Sequence, residues 1–555
     1  MKALRLIPAA LLIFFLLGFV VSPLMTMLIR SLESHGSVTM DRYVSIIDPS
    51  NSANTEAVVN SVMISLLSVV TSAIVGTFLA IVLTQIPFAG KSVLARLAVV
   101  PIGLPPLVGS IAILLAFGES GVVPRMLNAI GHGWVHASGL TGMGGILAVH
   151  TYSFFVYFYL MVSAAIRALD GSQFEAAATL GAGPWRTLRS VLLPALRPSF
   201  LGASVLTFMA SMASFTAPLL FAGDKRFLTL QIYFTKLNGD LDTAAAQSVL
   251  LAGVSIFFFI IARAWSGERT TRPASKGVST PARLMLSPPL RRAVVALTYI
   301  VIALALFPFV VIIVLSFAKE GSWTWQIVPE AYSFDNYLMF VRDVRLLQPV
   351  ANSLLMACCA MAVAGIVGVG IGWLTYRMHR RNIARAMEIA LASPYALPGT
   401  VVAIALIQTF GTPSLFAGGA VLVGTFWILP IAYVFRTYPL VLQPTTAALE
   451  SLDPALPEAA ASLGATDWRT FRTVVFPAIR PAVVAGILLA GIMAAGEFVA
   501  SVLLYAYPTR PVSVEIFSQL RVFSIGSAAA YSVVLLGLVL GMIALSPTEK
   551  VVRSG

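Results

Sequence analysis

Residues 175–198 read EAAATLGAGPWRTLRSVLLPALRP, and residues 458–481 read EAAASLGATDWRTFRTVVFPAIRP. The two stretches align at one offset without a gap. Glu175, Gly181, Trp185, Arg186, Arg197 and Pro198 stand opposite Glu458, Gly464, Trp468, Arg469, Arg480 and Pro481. A match of this length marks an internal repeat rather than shared composition. Glu-Ala-Ala-Ala starts a short helix of strong helix formers. Gly181 and Gly464 then allow a sharp turn, because glycine accepts positive φ at little steric cost. A second short amphipathic helix is predicted from Pro184 or Asp467, since Pro suits the N1 position and Asp the N-cap. It is expected to end near Pro194 or Pro477. Each copy is thus a helix–turn–helix whose alanines let a partner approach closely.

The similarity continues upstream. Asn60-Ser61 matches Asn352-Ser353, and Pro101 and Pro105 match Pro394 and Pro398. The offset changes in the loop after Gly118, which is longer in the first half.

The surroundings of the repeat are apolar. The 555 residues are 58% hydrophobic and 11% charged, whereas a soluble domain carries about 25% charged residues. Such a chain has no polar shell to face water and must use lipid as solvent. About twelve runs are long enough to cross a bilayer as helices. They are 6–29, 58–84, 97–117, 144–166, 200–221 and 244–262, then 293–317, 353–376, 386–410, 416–435, 481–504 and 526–545. The first follows Lys2 and Arg5 and reads as an uncleaved membrane helix, since no small-residue cleavage site follows Val21.

The net charge is +13, which in a soluble protein would raise nucleic-acid binding. Here Lys and Arg gather in loops beside the spans and set orientation. Arg263, Arg269, Arg272, Lys276, Arg283, Arg291 and Arg292 flank or lie in the region between the halves. Arg377, Arg380, Arg381 and Arg385 follow the eighth run. Placing both groups in the cytoplasm puts both termini there, and both repeated segments with them. The organisation expected is a first half at 1–265, a cytoplasmic linker at 266–292 and a second half at 293–555. An even number of spans gives both halves one orientation, a parallel repeat. The fold class is an all-α membrane protein. Cys358 and Cys359 are adjacent in an apolar run and form neither a disulfide framework nor a metal spacing.

The duplicated segment resembles the coupling motif of ABC importer permeases: Glu-Ala-Ala, three residues, Gly, nine residues, then Ile-x-Leu-Pro. The copies end Val191-Leu192-Leu193-Pro194 and Val474-Val475-Phe476-Pro477. Val for Ile, and Phe for Leu in the second copy, keep the apolar character. The resemblance covers both halves. It implies that Glu175, Ala176, Ala177 and Gly181, with Glu458, Ala459, Ala460 and Gly464, meet two separate ATP-binding cassette subunits. It implies a periplasmic or lipid-anchored solute-binding protein at the outer face of a bacterial inner membrane. No P-loop is present: Gly90-Lys91-Ser92 has Gln85 where the first glycine belongs. ATP and magnesium would therefore sit on the partners, with no cofactor on this chain.

Three residues are candidates for the translocation path. Glu497 lies in the eleventh run, where a carboxylate is costly and faces a bundle interior or cavity. Ser214 is its repeat counterpart. His150, the counterpart of Tyr433, is a buried polar group of the fourth run that reads first as bonding to a neighbouring helix, with a place in the path as its alternative role. Pro105, Pro106 and Pro398 read as kinks in apolar spans. Tyr152, Phe154, Phe155, Tyr157, Phe158 and Tyr159 read as lipid contact and interface belt. No catalytic or metal cluster is seen. Fused permeases of this kind resemble those for iron(III), thiamine or aminoethylphosphonate. Ser214-Phe215-Thr216-Ala217-Pro218-Leu219-Leu220 and Gly496-Glu497-Phe498 look most like the iron(III) group. An ion-coupled secondary transporter also has two parallel halves, but it has no ATPase for the duplicated segment to grip.

Overall fold

A computed structural model describes residues 10–34, 36–48, 52–131, 138–169, 172–266, 286–378, 383, 387, 390–391 and 393–545. The linker between the halves lies for the most part outside these residues, as do Arg380, Arg381 and Arg385. Helices at membrane level are α1 (Ala10–Leu32), α2 (Ser52–Gln85), α3 (Pro106–Phe117), α4 (Gly142–Ala168), α5 (Leu193–Met212) and α6 (Leu241–Ser266). The second set is α7 (Pro288–Ser316), α8 (Gln348–Tyr376), α9 (Gly399–Phe410), α10 (Ile428–Glu450), α11 (Phe476–Ala495) and α12 (Ile525–Ala544). Ten helical stretches among the described residues are long and apolar enough to cross a membrane. Short α9 and polar α10 fall outside that set.

The chain forms two compact units that do not follow chain order. One holds residues 44–231 and 250–333, and the other holds 1–43, 232–249 and 334–555. In the first, α2, α4 and α5 pack together and α7 lies on α3, with Phe117 and Phe307 meeting edge to face at 5.8 Å. In the second, α8, α10 and α11 pack together and α1 lies on α9, with Phe19 stacked on Phe410 at 5.4 Å. Each compact unit therefore contains the leading helix of the other half of the sequence.

Small residues set the close packing. A Cβ at Gly76 of α2 would collide with the Phe155 carbonyl of α4. At Gly368 of α8 it would meet Val441 Cβ of α10 at 2.8 Å. Without a hydrophobic force between helices in lipid, such close contact is what holds them. The repeat also preserves a clamp. Asn60 donates to the Arg226 carbonyl at 3.0 Å, and Ser61 Oγ accepts from Leu228 N at 2.8 Å. Asn352 donates to the Arg510 carbonyl at 3.0 Å, and Ser353 Oγ accepts from Val512 N at 2.9 Å.

Several expected boundaries change. The run 416–435 is not a helix: Gly418, Gly419 and Gly424 take positive φ, and α10 begins only at Ile428. Its Arg436, Thr445 and Thr446 are tolerated because that side of the helix packs against α8 and α11. The runs 200–221 and 481–504 are each broken, at 213–215 and 496–498, before short helices Thr216–Phe221 and Val499–Leu504. Pro105, Pro106 and Pro398 do not kink spans but stand at the starts of α3 and α9, where a missing N–H is harmless. Of the aromatic cluster, Tyr152, Phe155, Phe158 and Tyr159 are buried. They face protein because α4 is central to its unit.

Candidate coupling segments and membrane-level polar groups

In the first repeated segment, Glu175, Ala176 and Ala177 lie within the helix Ser172–Thr179. Phe174 and Ala177 are buried, and Phe174 joins an apolar cluster with Leu192 and Leu196. Gly181 turns the chain at φ +72°, and Ala182 N donates back to the Ala177 carbonyl at 2.9 Å. In the second, Glu458, Ala459 and Ala460 lie within Ala455–Ser462. Gly464 turns it at φ +78°, and Ala465 N donates to the Ala460 carbonyl at 3.0 Å. Both turns need the left-handed region that glycine enters freely.

The helix after each turn differs from expectation. It does not end near Pro194 or Pro477 but runs on into α5 or α11. One wide turn intervenes, Leu188–Leu192 or Phe471–Val475, where Leu193 N reaches the Leu188 carbonyl and Phe476 N the Phe471 carbonyl. This i→i−5 register lets the chain absorb a proline that cannot donate. The N-cap of the second copy is Thr466, whose Oγ1 accepts from Arg469 N at 3.4 Å, and not Asp467. Asp467 instead pairs with Arg377, at the end of α8, at 3.0 Å.

The tips are apolar and uncovered. Leu180 is 85% exposed and Trp185 72%; Leu463 is 89% exposed and Trp468 69%. In the second tip Trp468 stacks on Phe471, with ring centroids 5.8 Å apart.

At membrane level, Glu497 stands where the chain leaves α11. Its Oε1 accepts from Ala500 N at 2.8 Å, capping the short helix that follows. Its other oxygen pairs with the Arg436 guanidinium of α10. The Glu497 carbonyl accepts from Ser501 Oγ and Ser513 Oγ, each at 2.8 Å. With the Ser501 proton so committed, Tyr433 OH donates to Ser501 Oγ at 2.7 Å. Tyr395, Tyr433, Arg436, Thr437, Met493, Ala494 and Glu497 enclose a cavity of about 10 Å³, room for about one water.

Ser214 keeps the backbone half of this arrangement: its carbonyl accepts from Thr229 Oγ1 at 2.8 Å. It lacks the charge, and Ser153 stands in the register of Arg436. His150 is 1% exposed. Its Nδ1 lies 2.9 Å from Ser68 Oγ of α2 and 3.0 Å from Ser211 Oγ of α5. That geometry ties three helices of one unit together. Arg436 is the residue the sequence reading missed. Ending the tenth run at Phe435 put it outside the membrane; an arginine inside AYVFRTYPLVL was the available signal. The Gly90-Lys91-Ser92 decoy is a left-handed glycine opening the helix Lys91–Leu97, with Lys91 Nζ donating to the Thr84 carbonyl.

The family described as binding-protein-dependent transport system inner membrane component matches residues 72–271 and again 368–547. The chain belongs to this family. It is an ABC importer permease, a multi-pass inner-membrane transport component rather than an enzyme, with the family domain present twice. The permease is 29% identical over 505 residues to the "Probable ABC transporter permease protein y4fN" of Sinorhizobium fredii, covering 90% of this chain and 88% of that one. It is 25% identical over 500 residues to the ferric transport system permease protein FbpB of Actinobacillus pleuropneumoniae, covering 87% and 69%. A crystallised bacterial alginate ABC transporter, in complex with alginate pentasaccharide-bound periplasmic protein, aligns with TM-score 0.41 and 19% identity. The alignment covers 49% of this permease and 97% of that chain.

Proposed function

We propose that this permease imports iron(III), delivered by an extracytoplasmic binding protein, and is driven by two separate ATP-binding subunits. The observation that carries the energy-coupling part is the pair of exposed Leu–Gly–Trp tips at Leu180, Gly181 and Trp185 and at Leu463, Gly464 and Trp468. Each tip continues without a break into a membrane helix. A push on the tip is therefore delivered along α5 or α11 to the broken segments beyond it. Closure of the ATPase pair would switch a bistable bundle between states that bind ATPase and binding protein differently. In this reading Glu175 and Glu458, with Ala176, Ala177, Ala459 and Ala460, belong to the docking helices. A secondary transporter has no use for such tips.

Iron(III) rests on likeness to a ferric permease over 87% of this chain; thiamine and aminoethylphosphonate remain the alternatives. In the path, Glu497 enters as half of a neutral pair with Arg436, so the binding protein supplies the selectivity. Ser214 and His150 hold backbone and helices in place at the corresponding repeat positions of the first half. The deciding experiment reconstitutes permease, ATPases and binding protein in liposomes and follows ATP-dependent uptake of each solute. Uptake of iron(III) alone supports the reading. Uptake of a different solute replaces the substrate, and uptake without ATPase removes the class.

A further inference from the structure

Phe523 is, among the described residues, the one non-glycine at positive φ (60°). It ends the helix Val512–Arg521. Phe523 N donates to the Leu520 carbonyl at 3.1 Å and Ser524 N to the Gln519 carbonyl at 3.0 Å. This pair of bonds closes a helix through one left-handed residue, a place glycine fills because a Cβ is disfavoured there. The first half shows what the turn requires. Gly239 N donates to the Lys236 carbonyl at 3.0 Å and Asp240 N to the Thr235 carbonyl at 3.2 Å. Gly239 takes φ +85°. The same turn is thus built with glycine in one half and with phenylalanine in the other.

Packing does not explain the phenylalanine. Phe523 is 87% exposed and Val522 beside it 67%. A strained, uncovered aromatic at a turn that glycine would satisfy points to a use outside the chain. The charges around the turn suit an aqueous level. The matching turn of the first half carries Lys236, Asn238, Asp240 and Asp242, and Arg521 immediately precedes it here. Its side is the one away from the coupling segments: α11 leaves the segment at one end, and α12 returns from Ile525, directly after the turn.

We infer that Phe523, supported by Val522, is an anchor for the substrate-binding protein on the outer face of the permease. The inference rests on the binding-protein reading above. An aromatic held out on a short, hydrogen-bonded turn enters an apolar pocket of a partner with little loss of freedom. The polar turn at Gly239 has no such group, so the two halves present different faces to one asymmetric partner.

The test uses Phe523→Gly in the whole importer, permease with ATPases, in nanodiscs. Glycine suits the turn, so the variant keeps its fold and its unfolding temperature matches or exceeds that of the wild type. The probe is the purified binding protein that stimulates ATP hydrolysis by the wild-type complex. The expected result is a Kd weaker by about tenfold or more, with basal ATP hydrolysis unchanged. Phe523→Trp should retain binding and Phe523→Asn should lose it. Wild-type affinity in Phe523→Gly overturns the inference alone. So does a loss of outer-leaflet lipid quenching with binding intact, which would make Phe523 a membrane anchor. A wild-type complex that no binding protein stimulates overturns the functional reading first, before any variant is made.

Discussion

Arg436 of α10 holds Glu497 across to the break that follows α11, and the corresponding pair in the first half is Ser153 and Ser214. One compact unit therefore fastens its central helix to its broken helix by charge, and the other does not. Breaking the pair from one side leaves a charge largely out of water. Arg436→Gln or Glu497→Gln should lower stability by about 2 kcal/mol. That is less than a fully buried pair, because the two side chains remain 21% and 10% exposed. The double variant should recover part of the loss. Thermal unfolding in detergent for the four members of the cycle measures the coupling; strict additivity would mean the pair holds nothing.

The tips of the repeated segments can be altered ahead of α5 and α11. Trp185→Ala or Trp468→Ala should weaken ATPase co-purification by about tenfold, a difference of about 1.4 kcal/mol. Gly181→Val and Gly464→Val force a β-branched residue into the left-handed region and should have larger effects. On the proposed coupling role, Glu175→Lys and Glu458→Lys invert a charge on the first helix of each repeated segment and should also reduce uptake. Membrane insertion should stay normal throughout. Full uptake and full ATPase binding in every variant would remove the coupling assignment.

The glycine contacts make a steric prediction. Gly368→Leu places a side chain where even a Cβ meets Val441 Cβ at 2.8 Å and Leu442 N at 3.0 Å. Overpacking of this kind costs about 1–3 kcal/mol or more. Gly537, with nothing within 4 Å of an added Cβ, is the control. Gly368→Leu should shift size-exclusion profiles toward aggregate, and Gly537→Ala should not.

A cut between the halves should be tolerated only if both pieces are present. Residues 1–265 lack α7, which covers α3, and residues 293–555 lack α1, which covers α9. Expressed alone, either piece should be degraded or trapped in detergent aggregates. Expressed together, they should co-purify and retain some transport. Recovery of a monodisperse single half would contradict this.

The repeated segment was legible because its glycines and prolines stand in register, and each glycine does one backbone job. Asn60-Ser61 and Asn352-Ser353 were legible for the same reason. What hydropathy misread was α10. Gly418, Gly419 and Gly424 interrupt an apolar run, whereas Arg436 and Thr445 sit inside a true helix shielded by its neighbours. Pro194 and Pro477 misled in the other direction, since a wide turn absorbs them and the helix continues. The phenylalanine at a glycine position is invisible without φ, because nothing in Arg521-Val522-Phe523-Ser524 alone announces a left-handed turn.

The placing of α7 on α3 sets a timetable. During synthesis α3 is made well before α7, and at about 5–20 residues per second the wait is on the order of ten seconds or longer. The wait of α1 for α9 is longer still. Through that interval each early helix has only lipid, or an insertion factor, against the face its final neighbour will cover. A chain stalled in the linker would leave the first six helices inserted but unfinished, a natural target for membrane quality control.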